Sequence, residues 1–415
     1  MDRRGPRFSL DTGANPKITG SYITIWSEHE MNSNFLTESQ ADWLDVVNKF
    51  MDNEITVEYV RKCDSGREYP YEAYEKIAKQ GWLGILIPED EGGSGGDIFD
   101  YSLMAEGLGK FGFDFACSVL VPTFTAMNII KYGTAEQKAR YVKPFIDGQI
   151  RFSVSISEPD AGSDASNTKT RARRDENGDW VVSGQKLWCS GAAAKDTVIA
   201  MLVRTDTEDK HGGLSVLLIP NDTPGLDIRR LPTLSRHATG TTEIFLDEVR
   251  VPADALLGEV GQGWKIITEH LELERCAVAA AYVGNAQEAV RAANKYAHER
   301  VQFGKPIYEF QVLKHMLAEN QTRVDAARLL CYRAAKMKAE NLPAASETSM
   351  AKLAGSETLK QCALDGMQIL GGYANLPEAD MERYLRESVQ STIGGGTSQI
   401  QRTIIAKSMR LSATA

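Results

Sequence analysis

No apolar run of membrane-spanning length occurs in the 415-residue sequence, and none follows a charged N-terminus as in a secretory signal. The chain is therefore read as a soluble cytoplasmic protein. Its six cysteines, Cys63, Cys117, Cys189, Cys276, Cys331 and Cys362, form neither a CxxC pair nor a Cys/His ligand spacing. Several lie in apolar helical contexts, so buried free thiols are expected rather than disulfides or zinc. Positive charge is in deficit: 47 Lys and Arg stand against 56 Asp and Glu, a net charge of -9. That balance argues against nucleic-acid binding as the main activity. The basic run Arg171, Arg173 and Arg174 reads as a solvated face.

What is present is enough apolar material, 42% of the chain, for two or three domains with sizeable cores. Residues 1–30 are polar and without period, and read as a disordered leader or extension, with Met31 as the natural start. From Thr37 the pattern is helical: Trp43, Val46, Val47, Phe50 and Met51 recur at helical spacing. Further helices at about 101–112 and 117–132 complete an N-terminal helical domain over 31–150. The glycine-rich stretch from Glu91 to Gly96 lacks the Lys-Ser/Thr ending of a phosphate-binding loop and reads as a plain turn.

Short alternating segments then appear at 180–183, 197–203, 214–220, 226–230 and 242–249, separated by Gly, Asp, Asn and Pro. They predict a middle antiparallel β-sandwich or barrel over 151–260. From 261 to 415 the pattern is helical again, a C-terminal bundle opened by a long helical run from Gly263 to Phe303.

In that run Glu274 shares a face with Ile267, Leu271, Val278 and Tyr282 and has no Lys or Arg at helical pairing distance, while His270 lies four residues before it. A carboxylate on an apolar face is a candidate general base; the alternative is an ordinary surface glutamate. Glu272 points elsewhere and reads as half-buried or exposed.

Two groups of residues raise this above a generic multidomain enzyme. The first is Ser155-Ile156-Ser157-Glu158-Pro159-Asp160-Ala161-Gly162-Ser163-Asp164, followed by Gly184-Gln185-Lys186-Leu187-Trp188-Cys189-Ser190. Small hydroxyls and backbone amides on a strand edge suit an isoalloxazine ring, and Trp188 suits its face, although the same residues would also serve tight turns. The second is Gln368-Ile369-Leu370-Gly371-Gly372, with Arg386 and then Gly394-Gly395-Gly396-Thr397-Ser398-Gln399 downstream. Together they closely resemble the acyl-CoA dehydrogenase flavoprotein family from about Thr37 to Arg410.

The resemblance implies FAD as cofactor and a homotetramer built as a dimer of dimers. It places Ser155, Ser157 and Ser190 against the flavin, Trp188 over it, and Ser163 near both the cofactor and the thioester arm. Arg300, Gln302, Phe303, Gln311, Gln368 and Gly372 are implied to hold a neighbouring subunit's FAD, and Thr397 and Gln399 the adenosine end within the subunit. The position of the family's usual catalytic glutamate is Gly395 here, so the base is missing from it. Some branches place the base on the long helix within Leu-x-Leu-Glu-Arg, and Glu274 followed by Arg275 matches that pattern.

Glu274, Arg275 and Gly395 are therefore the expected substrate-side residues, with Glu274 taking the α-proton while a hydride passes to the flavin. The segment Tyr373-Ala374-Asn375-Leu376-Pro377-Glu378 adds a similarity to L-prolyl-carrier-protein dehydrogenases of natural-product pathways. Ala374 departs from the family's usual glycine. That branch implies L-proline on a phosphopantetheinylated carrier protein as substrate, a pyrroline or pyrrole thioester as product, and oxygen or an electron-transfer flavoprotein as acceptor. A short branched acyl-CoA is the alternative substrate, and a non-catalytic flavin-binding subunit the third reading.

Overall fold

A computed structural model describes residues 35–206 and 208–409. The expectations for residues 1–30 and for Met31 lie outside the described residues. Thr37 opens the first helix, α1 (Glu38–Glu54), by accepting from the Gln40 amide while the Gln40 side chain accepts from the Thr37 amide. Helices α2 (Val57–Gly66), α3 (Tyr71–Lys79), α4 (Ile98–Gly109), α5 (Phe113–Tyr132) and α6 (Ala135–Ile146) follow.

Helix α5 corrects one expectation. By length and composition it could cross a membrane, but 89% of its apolar window is buried inside the protein. A helix that is apolar all round is a central core helix when neighbours cover every face. The Glu91–Gly96 stretch is indeed a turn: the amides of Gly92, Gly93, Ser94, Gly95 and Gly96 all donate to carbonyls between Gly84 and Glu89. None is left over for a phosphate.

The middle segment forms one eight-stranded sheet from β1 (Arg151–Ser155), β2 (Arg171–Arg174), β3 (Trp180–Ser190), β4 (Thr197–Arg204), β5 (Leu214–Pro220), β6 (Leu226–Arg230), β7 (Thr241–Val251) and β8 (Leu256–Leu257). Its order is β6-β7-β3-β2-β4-β5-β8, with β1 beside β4. The sheet is not purely antiparallel as expected, because β1 pairs with β4 in parallel and β2 touches β4 in the same sense. Ile199, Met201 and Val203 of β4 face one core with Trp180, Val182 and Ile244, while Val198, Ala200 and Leu202 pack on the helices. This period-two division fastens the sheet to the helical layers. The basic run is β2, with Ala172 buried and the three arginines exposed.

The C-terminal part comprises α7 (Gly263–Glu299), the hairpin β9 (Val301–Gln302) and β10 (Lys305–Pro306), then α8 (Gln311–Ala339), α9 (Ala345–Leu370), α10 (Met381–Ser391) and α11 (Ser398–Ser408). Helices α4 and α7 cross backbone to backbone. A Cβ on Gly284 would lie 2.0 Å from the Glu106 carbonyl, and one on Gly109 2.2 Å from that of Ala281. The long helix ends at Glu299 rather than running to Phe303. Phe303 (φ 51°) and Gly304 (φ 76°) form the two-residue turn of the hairpin, and positive φ at both central positions is what such a tight turn requires. All six cysteines are buried free thiols.

Candidate active site

Glu274 lies on α7 with only 13% of its side chain exposed. One turn back, His270 Nε2 is 3.4 Å from Glu274 Oε2. His270 is buried and its Nδ1 faces Asn128 Nδ2 of α5 at 2.9 Å. Arg275 is mostly buried with an unpartnered Nε, and burial holds its guanidinium below the ordinary range while Glu274 and Glu272 oppose. Glu272 pairs with Lys338 at 2.9 Å on the half-buried side of the helix.

The turn carrying Gly395 is held from within the fold. Lys352 of α9, fully buried, donates to the carbonyls of Ser391 at 2.9 Å and Gly396 at 2.8 Å. Gln401 donates to those of Gly395 at 3.1 Å and Gly396 at 3.0 Å. Gly395 adopts φ 64°, and a Cβ built there would meet nothing within 4 Å. Open space thus stands at the position where the family pattern carries a glutamate. Burial pushes the Lys352 ammonium down to about 8; Arg275 acts in the same direction and Glu274 against it, which puts Lys352 within electrostatic reach of both.

The strand-edge group comes together around a β-bulge. Trp188 sits at φ 65° where the β3–β7 register shifts, and it remains 58% exposed. A large aromatic side chain turned outward by a left-handed backbone offers a flat, largely exposed apolar face. Ser157 and Ser190 are half-buried beside it, and the Ser157 carbonyl accepts from the Leu187 amide at 2.9 Å. The loop after β1 is fixed by Glu158, which accepts from Lys186 at 2.9 Å and from the amides of Lys169 and Thr170.

Ser155 departs from expectation. It is fully buried, and its hydroxyl is engaged with Cys189 Sγ at 3.0 Å, because alternation along β1 turns it inward. Its side chain therefore is not presented at the strand edge beside Trp188. Ser163 is exposed on the following loop.

A third cluster forms a separate recess of about 500 Å³, lined by Arg300, Gln302, Gly371, Gly372 and Tyr373 among others. Gln311 and Gln368 are exposed at helix ends close by in sequence, and Phe303 is 92% exposed at the hairpin tip. No residue of the strand-edge group lines this recess. Thr397 caps α11 by accepting from the Ile400 amide at 3.2 Å, which leaves its hydroxyl proton free to donate; Gln399 is exposed.

Sequence reasoning did not single out Asn128 or Lys352 and noted His270 only as a neighbour. The spacing of His270 and Glu274 on one face was the available signal. Lys352 carried none beyond being a lone cation among Ala351, Leu353 and Ala354.

The chain belongs to the acyl-CoA dehydrogenase family: the models of its N-terminal, middle and C-terminal domains match residues 37–149, 153–249 and 261–410. It is 37% identical to the probable acyl-CoA dehydrogenase YngJ of Bacillus subtilis, over 90% of this chain and 98% of that protein. Among solved structures it resembles the prolyl acyl carrier protein oxidase AnaB, with TM-score 0.84 and 29% identity over 91% of this chain and 100% of that one. A structure of PigA with FAD and proline matches with TM-score 0.85 and 28% identity, over 90% and 98%. Family membership implies FAD and an acyl-thioester dehydrogenase. The residues present fit that cofactor: a largely exposed indole, strand-edge hydroxyls, and glycines at 371 and 372 where a Cβ would meet nothing within 4 Å.

Proposed function

We propose that this protein oxidises an L-prolyl thioester carried on the phosphopantetheine of a carrier protein, with Glu274 as the base. The observation that carries the reading is the combination of a nearly buried Glu274 with open space at Gly395. Removing the carboxylate from the turn and placing it on α7 leaves room beside the reacting carbons for branching or a ring. The resemblance to AnaB and to PigA with proline, each over nearly the whole chain, supports a prolyl ring.

The thioester acidifies its α C–H, and Glu274 takes that proton while a hydride leaves the adjacent atom. Bound FAD supplies the two-electron acceptor. Arg275 and Lys352 keep positive charge near the carboxylate before it is protonated, and Lys352 with Gln401 holds the Gly394–Gly396 turn in place. Ser157 and Ser190 position the ring system from the strand edge and Trp188 covers it. Ser163 flanks the thioester arm.

Arg300, Gln302, Gln368 and Gly372 hold the diphosphate of a second subunit's FAD, with Gln311 and Phe303 beside them. Thr397 and Gln399 serve the adenosine end. The exposure of Arg300 and Phe303, and the distance in the fold implied by two separate clusters, support a cofactor shared in a homotetramer.

A short branched acyl-CoA is the second reading, favoured by the 37% identity to a probable acyl-CoA dehydrogenase. Anaerobic mixing of the FAD-loaded protein with L-prolyl carrier protein, and separately with isovaleryl-CoA, distinguishes the two by flavin bleaching. Bleaching by isovaleryl-CoA alone would replace the prolyl reading. The mass of the carrier protein after multiple turnovers with an added electron acceptor, lower by two hydrogens or by four, tells a pyrroline from a pyrrole.

A further inference from the structure

His270 is buried: Phe124 stands edge-on at 6.0 Å and 69°, and Asn128 is the hydrogen-bond partner of Nδ1. The Asn128 amide presents Nδ2, which can only donate, so Nδ1 accepts and the single ring proton sits on Nε2. That Nε2–H has no aligned hydrogen-bond partner although it is buried. An N–H stranded in the interior is destabilising, so one beside a candidate catalytic carboxylate calls for a structural or functional reason. The acceptor it faces is Glu274 Oε2, 3.4 Å away but off the line of the N–H bond. Such contacts in unliganded sites are characteristically long and tighten when substrate binds.

We infer that His270 is a positioning residue for the Glu274 carboxylate: Asn128 fixes its tautomer, and Nε2–H engages Oε2 so that Oε1 faces the substrate. This inference rests on Glu274 being the base. The substrate proton passes to Oε1 and the imidazole keeps its own proton throughout, so no further donor or acceptor is needed. Helical spacing supplies the geometry, since residues four apart lie one above the other, and Asn128 reaches the ring from α5, 142 residues away in sequence.

The test compares His270→Gln, whose amide can still offer N–H to Glu274, with His270→Leu and His270→Asn, which cannot reach it. With prolyl carrier protein or isovaleryl-CoA, whichever bleaches the parent flavin, His270→Leu and His270→Asn are expected to lower the saturating rate of flavin reduction about 100-fold, the scale of a misplaced catalytic group. Their apparent substrate affinity should stay within about threefold, because substrate contacts persist, and the α-deuterium isotope effect should rise. His270→Gln should recover most of the rate. Equal rates in the Gln and Asn variants would overturn the inference, and this comparison stands even where His270→Leu fails to fold.

Neutron diffraction on the FAD-loaded parent gives a reading independent of activity. Deuterium on Nε2 is expected, and deuterium on Nδ1 alone would refute the tautomer. A parent-like rate in Glu274→Gln would instead defeat the assignment of the base itself, so the two failures are distinct.

Discussion

Replacing Glu274 by Gln and then restoring a carboxylate at position 395 tests the division of labour between α7 and the triple-glycine turn. Glu274→Gln is nearly isosteric, and its amide oxygen can still face His270, so packing on α7 is preserved while the base is lost. Loss of a general base costs about 10²- to 10⁴-fold, or roughly 3 to 5 kcal/mol of transition-state stabilisation. Flavin reduction in anaerobic stopped flow should fall by that factor, with FAD content unchanged.

Adding Gly395→Glu introduces a side chain where a Cβ meets nothing within 4 Å, so no clash opposes it. The cost is the φ of 64°, about 1 to 2 kcal/mol for a residue with a Cβ in the left-handed region. The carbonyl contacts from Gln401 and Lys352 keep the turn in place. The double variant should regain at least about tenfold with unbranched butyryl-CoA, on the scale of partial general-base recovery. It should regain less with a prolyl or isovaleryl thioester, because the new carboxylate fills the space that a ring or branch needs. A Glu274→Gln variant that reduces its flavin at the parental rate would refute Glu274 as base. Undiminished prolyl oxidation by Gly395→Glu alone would refute the role of the open space.

Further outcomes follow from buried charge and close packing. Lys352 has a folded-state pKa of about 8 against an ordinary 10.5, so the unfolded chain binds the extra proton between those values and stability from this group rises with pH across that window. The parent should gain about 3 kcal/mol relative to Lys352→Met between pH 8 and 10.5, read from urea unfolding at several pH values; a difference independent of pH would contradict it. Glu387 and Arg236 form a buried pair at 2.6 Å between α10 and the loop before β7, and Glu387→Leu strands the guanidinium at a cost of about 3 to 5 kcal/mol. Calorimetry should show Glu387→Leu/Arg236→Met unfolding at a higher temperature than Glu387→Leu alone. Gly284→Ala should destabilise the α4–α7 crossing by about 1 to 3 kcal/mol or more, because its Cβ would lie 2.0 Å from a carbonyl oxygen. Arg300→Glu should weaken FAD retention across subunits, measured by flavin content after gel filtration, with retention equal to the parent arguing against a shared cofactor.

Legibility in the sequence followed the range of the interactions involved. Strands β5 and β6 lie where alternation and flanking turn residues placed them, at Leu214–Pro220 and Leu226–Arg230. Strand β1 was not among the expected segments although Phe152 and Val154 alternate with Ser153 and Ser155, and its partner β4 lies beyond the intervening β2–β3 hairpin. Helix α7 was extended through Phe303 because helical periodicity does not register a two-residue turn with positive φ. Ser155 and Ser157 look equivalent in a motif, yet the first is the last residue of β1 and is buried against Cys189, while the second lies past the strand's end and is half-buried.

By itself the sequence determined the family, the three-part order of helices, sheet and helices, and the absence of a carboxylate at Gly395, since each is a matter of residue identity or local period. Tertiary structure decided what surrounds the remaining carboxylate. His270 is four residues from Glu274, but its tautomer is set by Asn128 on another helix, and Lys352 reaches the glycine turn from α9. Those contacts come from how buried helices pack, and no period or motif within a single segment encodes which distant polar group will meet which.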